Sequence, residues 1–122
     1  MKVLAVDDSS TMRRIMVQML KKMGYSDISE AGDGQEALHI LQSEGPFDLL
    51  LTDWNMPVMS GLELTQAVRA DERMAAMPIL MVTTRNMKQD IVAAMKAGVN
   101  NYVTKPFDAK TIKVKIDKVL FA

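Results

Sequence analysis

Two hydrophobic patterns alternate along this chain. Short apolar runs of the kind that form buried strands are separated by longer segments in which apolar residues recur at helical spacing. The predicted strands are KVLAV (residues 2–6), DISEA (27–31), LLLT (49–52), ILMV (79–82) and NYVT (101–104). The predicted helices are one that starts after Ser9 or Ser10 and others near residues 35–43, 62–70, 87–97 and 109–120.

The first and last predicted helices have clear apolar faces. Ser9 or Ser10 can cap the start of the first helix, and Gly24 can end it. Asp108 is the predicted N-cap of the last helix. The residues predicted to face the core are Met12, Ile15, Met16, Met19, Leu20 and Met23 in the first helix and Ile112, Ile116, Val119 and Leu120 in the last.

Alternation of strands with helices predicts the fold class. It indicates an α/β protein in which one parallel, doubly wound five-stranded sheet carries helices on both faces. Strands that are covered on both faces should be continuously apolar, as LLLT and ILMV are. The chain has 122 residues and no linker or internal repeat, so we expect a single domain over residues 1–122.

Composition narrows the classes of function. Fifteen basic residues balance fifteen acidic ones and the sequence pI is about 6.6, which does not fit a general nucleic-acid binder. The lack of cysteine excludes disulfides and thiolate metal sites. The first apolar run is too short for a signal peptide, and no run approaches a membrane span. We therefore expect a cytoplasmic monomer without nucleic-acid or membrane partners.

Polar side chains end four of the predicted strands. Asp7 and Asp8 follow the first strand, and Asp53 follows the third. Thr83 ends the fourth strand, and the fifth leads into Lys105. The carboxyl ends of parallel strands meet at one edge of the sheet, where open sheets of this kind bind ligands. The sequence thus predicts a cluster of three carboxylates, one hydroxyl and one ammonium.

This cluster predicts a divalent cation and a phosphoryl group. Three carboxylates repel one another, and a single ammonium does not balance their charge. Hard oxygen ligands suit Mg²⁺, which usually also binds a phosphate oxygen. An aspartate can accept a phosphoryl group through its carboxylate, and Asp53 on the middle strand is best placed to do so. Asp7 and Asp8 would hold the metal. Lys105 and Thr83 would supply compensating donors.

Each of these residues also has a plainer reading. Asp7 and Asp8 can cap the first helix, and Asp53 can belong to a turn. Lys105 alone would be a solvated surface lysine. Only their coincidence at strand ends favours a site. His39 is predicted to be a surface residue, and the methionines of the first helix are predicted to fill the core.

Four motifs make the whole chain resemble the receiver domain of bacterial two-component response regulators. They are AVDDSSTMRR, DWNMPVMSG, PILMVTT and YVTKPF, in this order. STMRR, TDWNMP, GLEL and VRAD make the chain most similar to the stand-alone chemotaxis type. The resemblance implies the strand order 2-1-3-4-5 of that type. It also implies a signalling protein that takes a phosphoryl group from a histidine kinase, requires Mg²⁺ and assists its own phosphorylation and dephosphorylation.

The resemblance implies a role for each matching residue. In the family, the switch hydroxyl moves toward the phosphoryl group and an aromatic side chain fills the space it leaves. The lysine is joined to Pro106 by a cis peptide bond in that family. The implied roles are phosphoacceptor for Asp53, metal ligands for Asp7, Asp8, Asp53 and the Asn55 backbone carbonyl, phosphoryl contact for Lys105, switch hydroxyl for Thr83 and switch aromatic for Tyr102.

The implied output is the binding of a partner protein. In the family, the face formed by the fourth helix, the fifth strand and the fifth helix binds this partner, which for the chemotaxis type is the flagellar motor switch. A phosphatase is a second partner in the family, which the departures described below leave open for this chain. The residues expected on the partner face are Lys88, Tyr102, Val114 and Lys115.

Some residues depart from the chemotaxis pattern. Arg85 stands where that type carries an acidic residue, and Thr84 adds a hydroxyl beside it. With Asn55, these residues are expected to modulate the phosphoryl site, which bears on phosphoryl lifetime and on whether a phosphatase fits. Val114 lies among lysines of the last helix where the family example is more acidic.

Three alternatives remain beside a motor-binding regulator. A receiver can act as a phosphate sink or relay without binding the motor. A phosphohydrolase of the haloacid dehalogenase type also forms an aspartyl-phosphate, but it would need an aspartate where Asn55 stands. A flavodoxin-like module would need hydroxyls and amides where Asp7 and Asp8 stand, because two carboxylates repel a phosphate. A transcription factor is not expected, because no DNA-binding domain is predicted.

Overall fold

The structure, a computed structural model, describes residues 1–121. Within these residues, five strands alternate with five helices, and every element predicted from the sequence is present. The strands are β1 (Lys2–Val6), β2 (Asp27–Ala31), β3 (Leu49–Thr52), β4 (Ile79–Thr83) and β5 (Asn101–Thr104). The helices are α1 (Ser10–Lys22), α2 (Gly34–Glu44), α3 (Gly61–Ala70), α4 (Lys88–Ala97) and α5 (Ala109–Phe121).

The strands form one parallel sheet in the order β2-β1-β3-β4-β5, which confirms the predicted fold class. The three middle strands are buried along nearly their whole length because helices cover both faces. Val6 at the end of β1 is in register with Thr52 at the end of β3. The residues that follow these two, Asp7 and Asp53, therefore leave the sheet side by side.

Alternate side chains of the middle strands pack into two separate hydrophobic cores, one on each face of the sheet. On one face, α1 and α5 contribute Met16, Leu20 and Ile112 to a cluster with β1, β3 and β4. On the other face, α2, α3 and α4 pack on the opposite side chains of the same strands, with Leu64 and Val68 at the centre. The sheet is thus held from both sides, and its carboxyl edge remains open for a site.

The prediction that Ile15 on α1 faces the core is wrong. Its side chain is 37% exposed, whereas Val17, which was not predicted, is buried. Successive residues of a helix are rotated by about 100°, so Ile15 lies a large step away from Met16. The buried face is centred on Met16 and Leu20 and extends toward Val17, a rotation that depends on how α1 rests on the sheet.

The helix ends follow the predicted capping. The Ser9 hydroxyl accepts a hydrogen bond from the Met12 N–H, and the Asp108 carboxylate accepts one from the Thr111 N–H. Gly24 follows α1 with φ +100°, a conformation that glycine adopts readily. His39 is exposed, as predicted. None of the helices described within residues 1–121 is long and apolar enough to cross a membrane.

Candidate functional site

Three carboxylates meet at the carboxyl edge of the sheet, as the strand ends predict. Asp7, Asp8 and Asp53 each place an oxygen within 4.8 Å of the others. Asp7 and Asp53 are buried, whereas Asp8 is exposed and opens the cluster to solvent. Carboxylate oxygens at this spacing are the hard ligands that Mg²⁺ prefers, so the residues present fit this ion.

Lys105 joins the two buried carboxylates. Its Nζ donates to Asp7 Oδ2 at 2.7 Å and to Asp53 Oδ2 at 3.0 Å. Burial alone would lower the pKa of the Lys105 ammonium, but the hydrogen bonds and negative charges of Asp7 and Asp53 outweigh burial and raise that pKa. Lys105 is therefore positively charged at neutral pH. The Lys105–Pro106 peptide bond is cis, as the resemblance implied.

The loop after β3 fixes the position of Asp53. The Asp53 N–H donates to the Val6 carbonyl, and Asp53 Oδ1 accepts from the Trp54 N–H. The chain returns at the start of α3, where the Gly61 N–H donates to the Trp54 carbonyl at 2.8 Å. A Cβ at position 61 would overlap the Asp53 carbonyl oxygen. The close approach of its backbone to Asp53 therefore requires glycine at position 61.

Arg85, which follows β4, covers the loop that carries Asp53. Its guanidinium lies 4.5 Å from the centre of the Trp54 ring, and its Nε donates to Asn55 Oδ1 at 3.0 Å. Its Nη1 lies 3.3 Å from Asp90 Oδ1 in the first turn of α4. Arg85 therefore links the loop that carries Asp53 to α4, through contacts that the sequence did not reveal.

Thr83 and Tyr102 lie on neighbouring strands beside this loop. Thr83 is fully buried at the end of β4, and its Oγ1 accepts a long hydrogen bond, 3.4 Å, from the Arg85 N–H. Thr84, the next residue, is exposed. The Tyr102 hydroxyl donates to the Arg85 carbonyl at 2.8 Å. Burial, with a smaller contribution from the charge of Asp90, raises the pKa of Tyr102 to about 12.

Comparison with known proteins assigns this arrangement to a family. Residues 3–117 match the response regulator receiver domain. The chain belongs to that family. Among curated relatives, this receiver is 53% identical to the chemotaxis protein CheY of Pseudomonas aeruginosa over 119 residues, which are 98% of this chain and 95% of the relative.

Solved receivers have the same architecture. Chemotaxis protein CheY4 of Vibrio cholerae superposes with a TM-score of 0.90 at 38% identity, covering 98% of each chain. The receiver domain of a sensor histidine kinase from Pseudomonas aeruginosa superposes with a TM-score of 0.90 at 26% identity, covering 99% of this chain and 98% of that one. That structure has a magnesium ion coordinated in its active-site cleft.

The predicted partner face of this receiver contains a groove. A cavity of about 540 Å³ lies between α4, β5 and α5, and Met95, Tyr102 and Lys115 are among the residues that line it. Lys88 and Val114 are exposed outside this lining. Of the four residues predicted for this face, Tyr102 and Lys115 line the groove, and Lys88 and Val114 do not.

Arg13 makes a contact at the acidic cluster that the sequence did not predict. Arg13 on α1 donates from Nη1 to the backbone carbonyl of Asp7 at 2.7 Å, and its Nε pairs with Glu30 on β2 at 3.2 Å. The only sequence signal is an arginine in the second turn of the helix that follows the two aspartates. That signal is weak, because the bond depends on the turn between β1 and α1.

Proposed function

We propose that this receiver accepts a phosphoryl group on Asp53 from the phosphohistidine of a histidine kinase. The observation that carries the proposal is the Lys105 ammonium, which bonds both Asp7 and Asp53 at the edge of a three-carboxylate cluster. The Lys105 ammonium beside the buried Asp53 carboxylate can offset the negative charge that a phosphoryl group brings.

The transfer itself needs little covalent chemistry from the protein. The P–N bond of the phosphohistidine breaks, a P–O bond forms to an Asp53 carboxylate oxygen, and the departing imidazole takes up a proton. Lys105 offsets negative charge on the phosphoryl oxygens, and Thr83 is the proposed switch hydroxyl. The same positive charge assists hydrolysis, in which the oxygen of water bonds to phosphorus, the P–O bond to Asp53 breaks, and inorganic phosphate and the Asp53 carboxylate are released.

Asp7, Asp8, Asp53 and the backbone carbonyl of Asn55 are the proposed Mg²⁺ ligands. The ion, when bound, supplies positive charge to the phosphoryl oxygens. The three carboxylates support this assignment because their oxygens lie within 4.8 Å of one another. The related sensor-kinase receiver, whose structure has magnesium in its cleft, supports the choice of ion.

Three residues around the site are proposed to set the lifetime of the phosphoryl group. Arg85 holds Asn55 through a hydrogen bond and covers Trp54, so it shields the loop that carries the acceptor. Thr84 is exposed beside it. Because the Arg85 guanidinium replaces an acidic side chain of the chemotaxis pattern, a phosphatase would meet a different charge here.

The proposed output is a change in the face formed by α4, β5 and α5. Tyr102 connects this face to the site, since its hydroxyl bonds the Arg85 carbonyl two residues after Thr83. Chemotaxis relatives that are 53% and 50% identical to this chain favour the flagellar motor switch as the partner. Lys88, Val114 and Lys115 would contribute to this contact.

The test is phosphorylation by a small phosphodonor such as acetyl phosphate, followed by intact mass. Wild type should gain one phosphoryl group only when Mg²⁺ is present, and Asp53→Asn should gain none. Asp48→Asn is the matched control, because Asp48 is exposed at the opposite end of the same strand. Magnesium-dependent labelling of Asp53→Asn would overturn the assignment. Binding of the motor switch protein by phosphorylated wild type then separates a motor regulator from a phosphate sink.

A further inference from the structure

In the described part of the chain, Asp8 is the one member of the acidic cluster whose side chain makes no hydrogen bond or ion pair. Asp7 Oδ1 accepts from the Ser9 N–H at 2.9 Å and Asp7 Oδ2 accepts from Lys105, while Asp53 is bonded by Trp54 and Lys105. Within residues 1–121, no hydrogen bond or ion pair reaches the exposed Asp8 carboxylate. Its direction therefore depends on the backbone that leads to it.

Arg13 fixes that backbone. The Asp7 carbonyl belongs to the planar peptide unit that continues into the Asp8 N–H, so holding the carbonyl sets the orientation of the whole unit. Arg13 Nη1 donates to this carbonyl at 2.7 Å. On the other side of the residue, the Asp7 N–H donates to the Ala31 carbonyl at 3.2 Å. Asp7 is thus bonded at both backbone polar groups and at both carboxylate oxygens.

Glu30 holds Arg13 in the position from which it reaches Asp7. Arg13 Nε lies 3.2 Å from Glu30 Oε1, and the Arg13 side chain is only 23% exposed. The planar guanidinium can point one N–H at the carboxylate and another at the carbonyl simultaneously, which an ammonium cannot do with the same geometry. Glu30 also offsets the positive charge that Arg13 places near a cation site.

We propose that Arg13 is a positioning residue that aims Asp8 at the metal, by holding the peptide unit between Asp7 and Asp8. This inference rests on the proposed function, since it concerns the same Mg²⁺ site. Arg13 does not touch the metal or the phosphoryl group. Its effect belongs to the same class as that of the outer residues that orient metal ligands elsewhere, whose loss weakens metal binding by about 10-fold to 100-fold.

The charge of Arg13 and its hydrogen bond to Asp7 predict opposite changes in Mg²⁺ affinity when Arg13 is removed. Loss of a positive charge close to a cation site strengthens cation binding. Loss of the bond to the Asp7 carbonyl frees the Asp8 carboxylate and weakens cation binding. Arg14 provides the matched control, because it carries the same charge on the next residue, is exposed, and makes no side-chain hydrogen bond within the part of the chain that the structure describes.

The experiment measures the Mg²⁺ dissociation constant of wild type, Arg13→Ala, Arg13→Lys and Arg14→Ala from the fluorescence of Trp54 and by calorimetry. Arg13→Ala should bind Mg²⁺ about 10-fold more weakly than wild type. Arg13→Lys should lie between them, and Arg14→Ala should bind as tightly as wild type or more tightly. In the metal-free protein, the amide resonance of Asp8 should shift in Arg13→Ala and stay in place in Arg14→Ala.

Phosphorylation gives a second readout. The rate in Arg13→Ala should return to that of wild type at saturating Mg²⁺, because Arg13 acts on metal binding alone. A folded Arg13→Ala that binds Mg²⁺ as tightly as wild type would overturn the inference. If Arg13→Ala does not fold, an unchanged dissociation constant in Arg13→Lys would overturn it. Failure of wild type to bind Mg²⁺ would overturn the proposed function and this inference together.

Discussion

The backbone of Gly61 lies directly against the carbonyl oxygen of Asp53, with no room for a Cβ between them. Gly61 is the first residue of α3, and its N–H bonds the carbonyl of Trp54. The start of this helix is therefore part of the frame that holds the proposed acceptor. A change in α3 at this point reaches Asp53 without passing through any other side chain.

Gly61→Ala should both destabilise the protein and slow phosphorylation. The added methyl group has to displace the Asp53 backbone, and overpacking of this kind costs about 1–3 kcal/mol. Urea unfolding and labelling by acetyl phosphate measure the two effects. Gln66→Ala is the control, because Gln66 lies on the same helix and its side chain is exposed. Equal stability of Gly61→Ala and wild type would contradict the close approach.

Lys105→Arg should retain Mg²⁺ binding but weaken the switch. The three carboxylates remain, so the ion still has its ligands. The bulkier planar guanidinium cannot reproduce a single nitrogen at 2.7 Å from Asp7 and 3.0 Å from Asp53. Amide shifts on α4, β5 and α5 with a phosphoryl analogue such as beryllofluoride should be smaller than in wild type. The exposed substitution Lys110→Arg should leave them unchanged.

Arg85→Ala should shorten the lifetime of the phosphoryl group on Asp53. The guanidinium over Trp54 and its bond to Asn55 stiffen and cover the acceptor loop, and an exposed cation–π contact is worth about 0.5–1 kcal/mol. This corresponds to about a two-fold to five-fold faster hydrolysis. The decay is followed after removal of the phosphodonor, with Lys88→Ala as a control on α4. A longer lifetime in Arg85→Ala would show that Arg85 promotes hydrolysis instead.

Tyr102 should ionise at an unusually high pH. Its pKa in the folded protein is about 12, above the ordinary value of 10.0, because burial disfavours the phenolate. A folded-state pKa that is raised contributes stability that is complete below pH 10 and is lost as pH rises toward 12. Phenolate absorbance should show a late transition that Tyr102→Phe removes. Persistence of that transition in Tyr102→Phe would assign it to Tyr25, whose pKa is also raised by burial.

The sequence predicts the fold and the centre of the site well for a shared physical reason. Strand and helix periods identify the elements, and the ends of parallel strands have to meet at one edge. Asp7, Asp53 and Lys105 could therefore be placed together before any distance was known. Their functional roles stay predictions.

The features that the sequence did not predict depend on the rotation of a helix about its axis and on the reach of long side chains. The exposure of Ile15 follows from the exact setting of α1 on the sheet, which periodicity leaves open by about one residue. The bonds from Arg13 to the Asp7 carbonyl and from Arg85 to Asn55 are made by long side chains across turns. No spacing rule describes such contacts, because they depend on the path of each loop.

The ion pair between Lys105 and Asp7 joins residues that are 98 positions apart. A ribosome that has synthesised the first four strands has already produced Asp7, Asp8 and Asp53, but not the lysine that balances their charge. The counter-charge arrives only with β5, the edge strand added last. A nascent or truncated chain thus lacks the ammonium that joins the two buried carboxylates, and the cluster is complete only in the finished sheet.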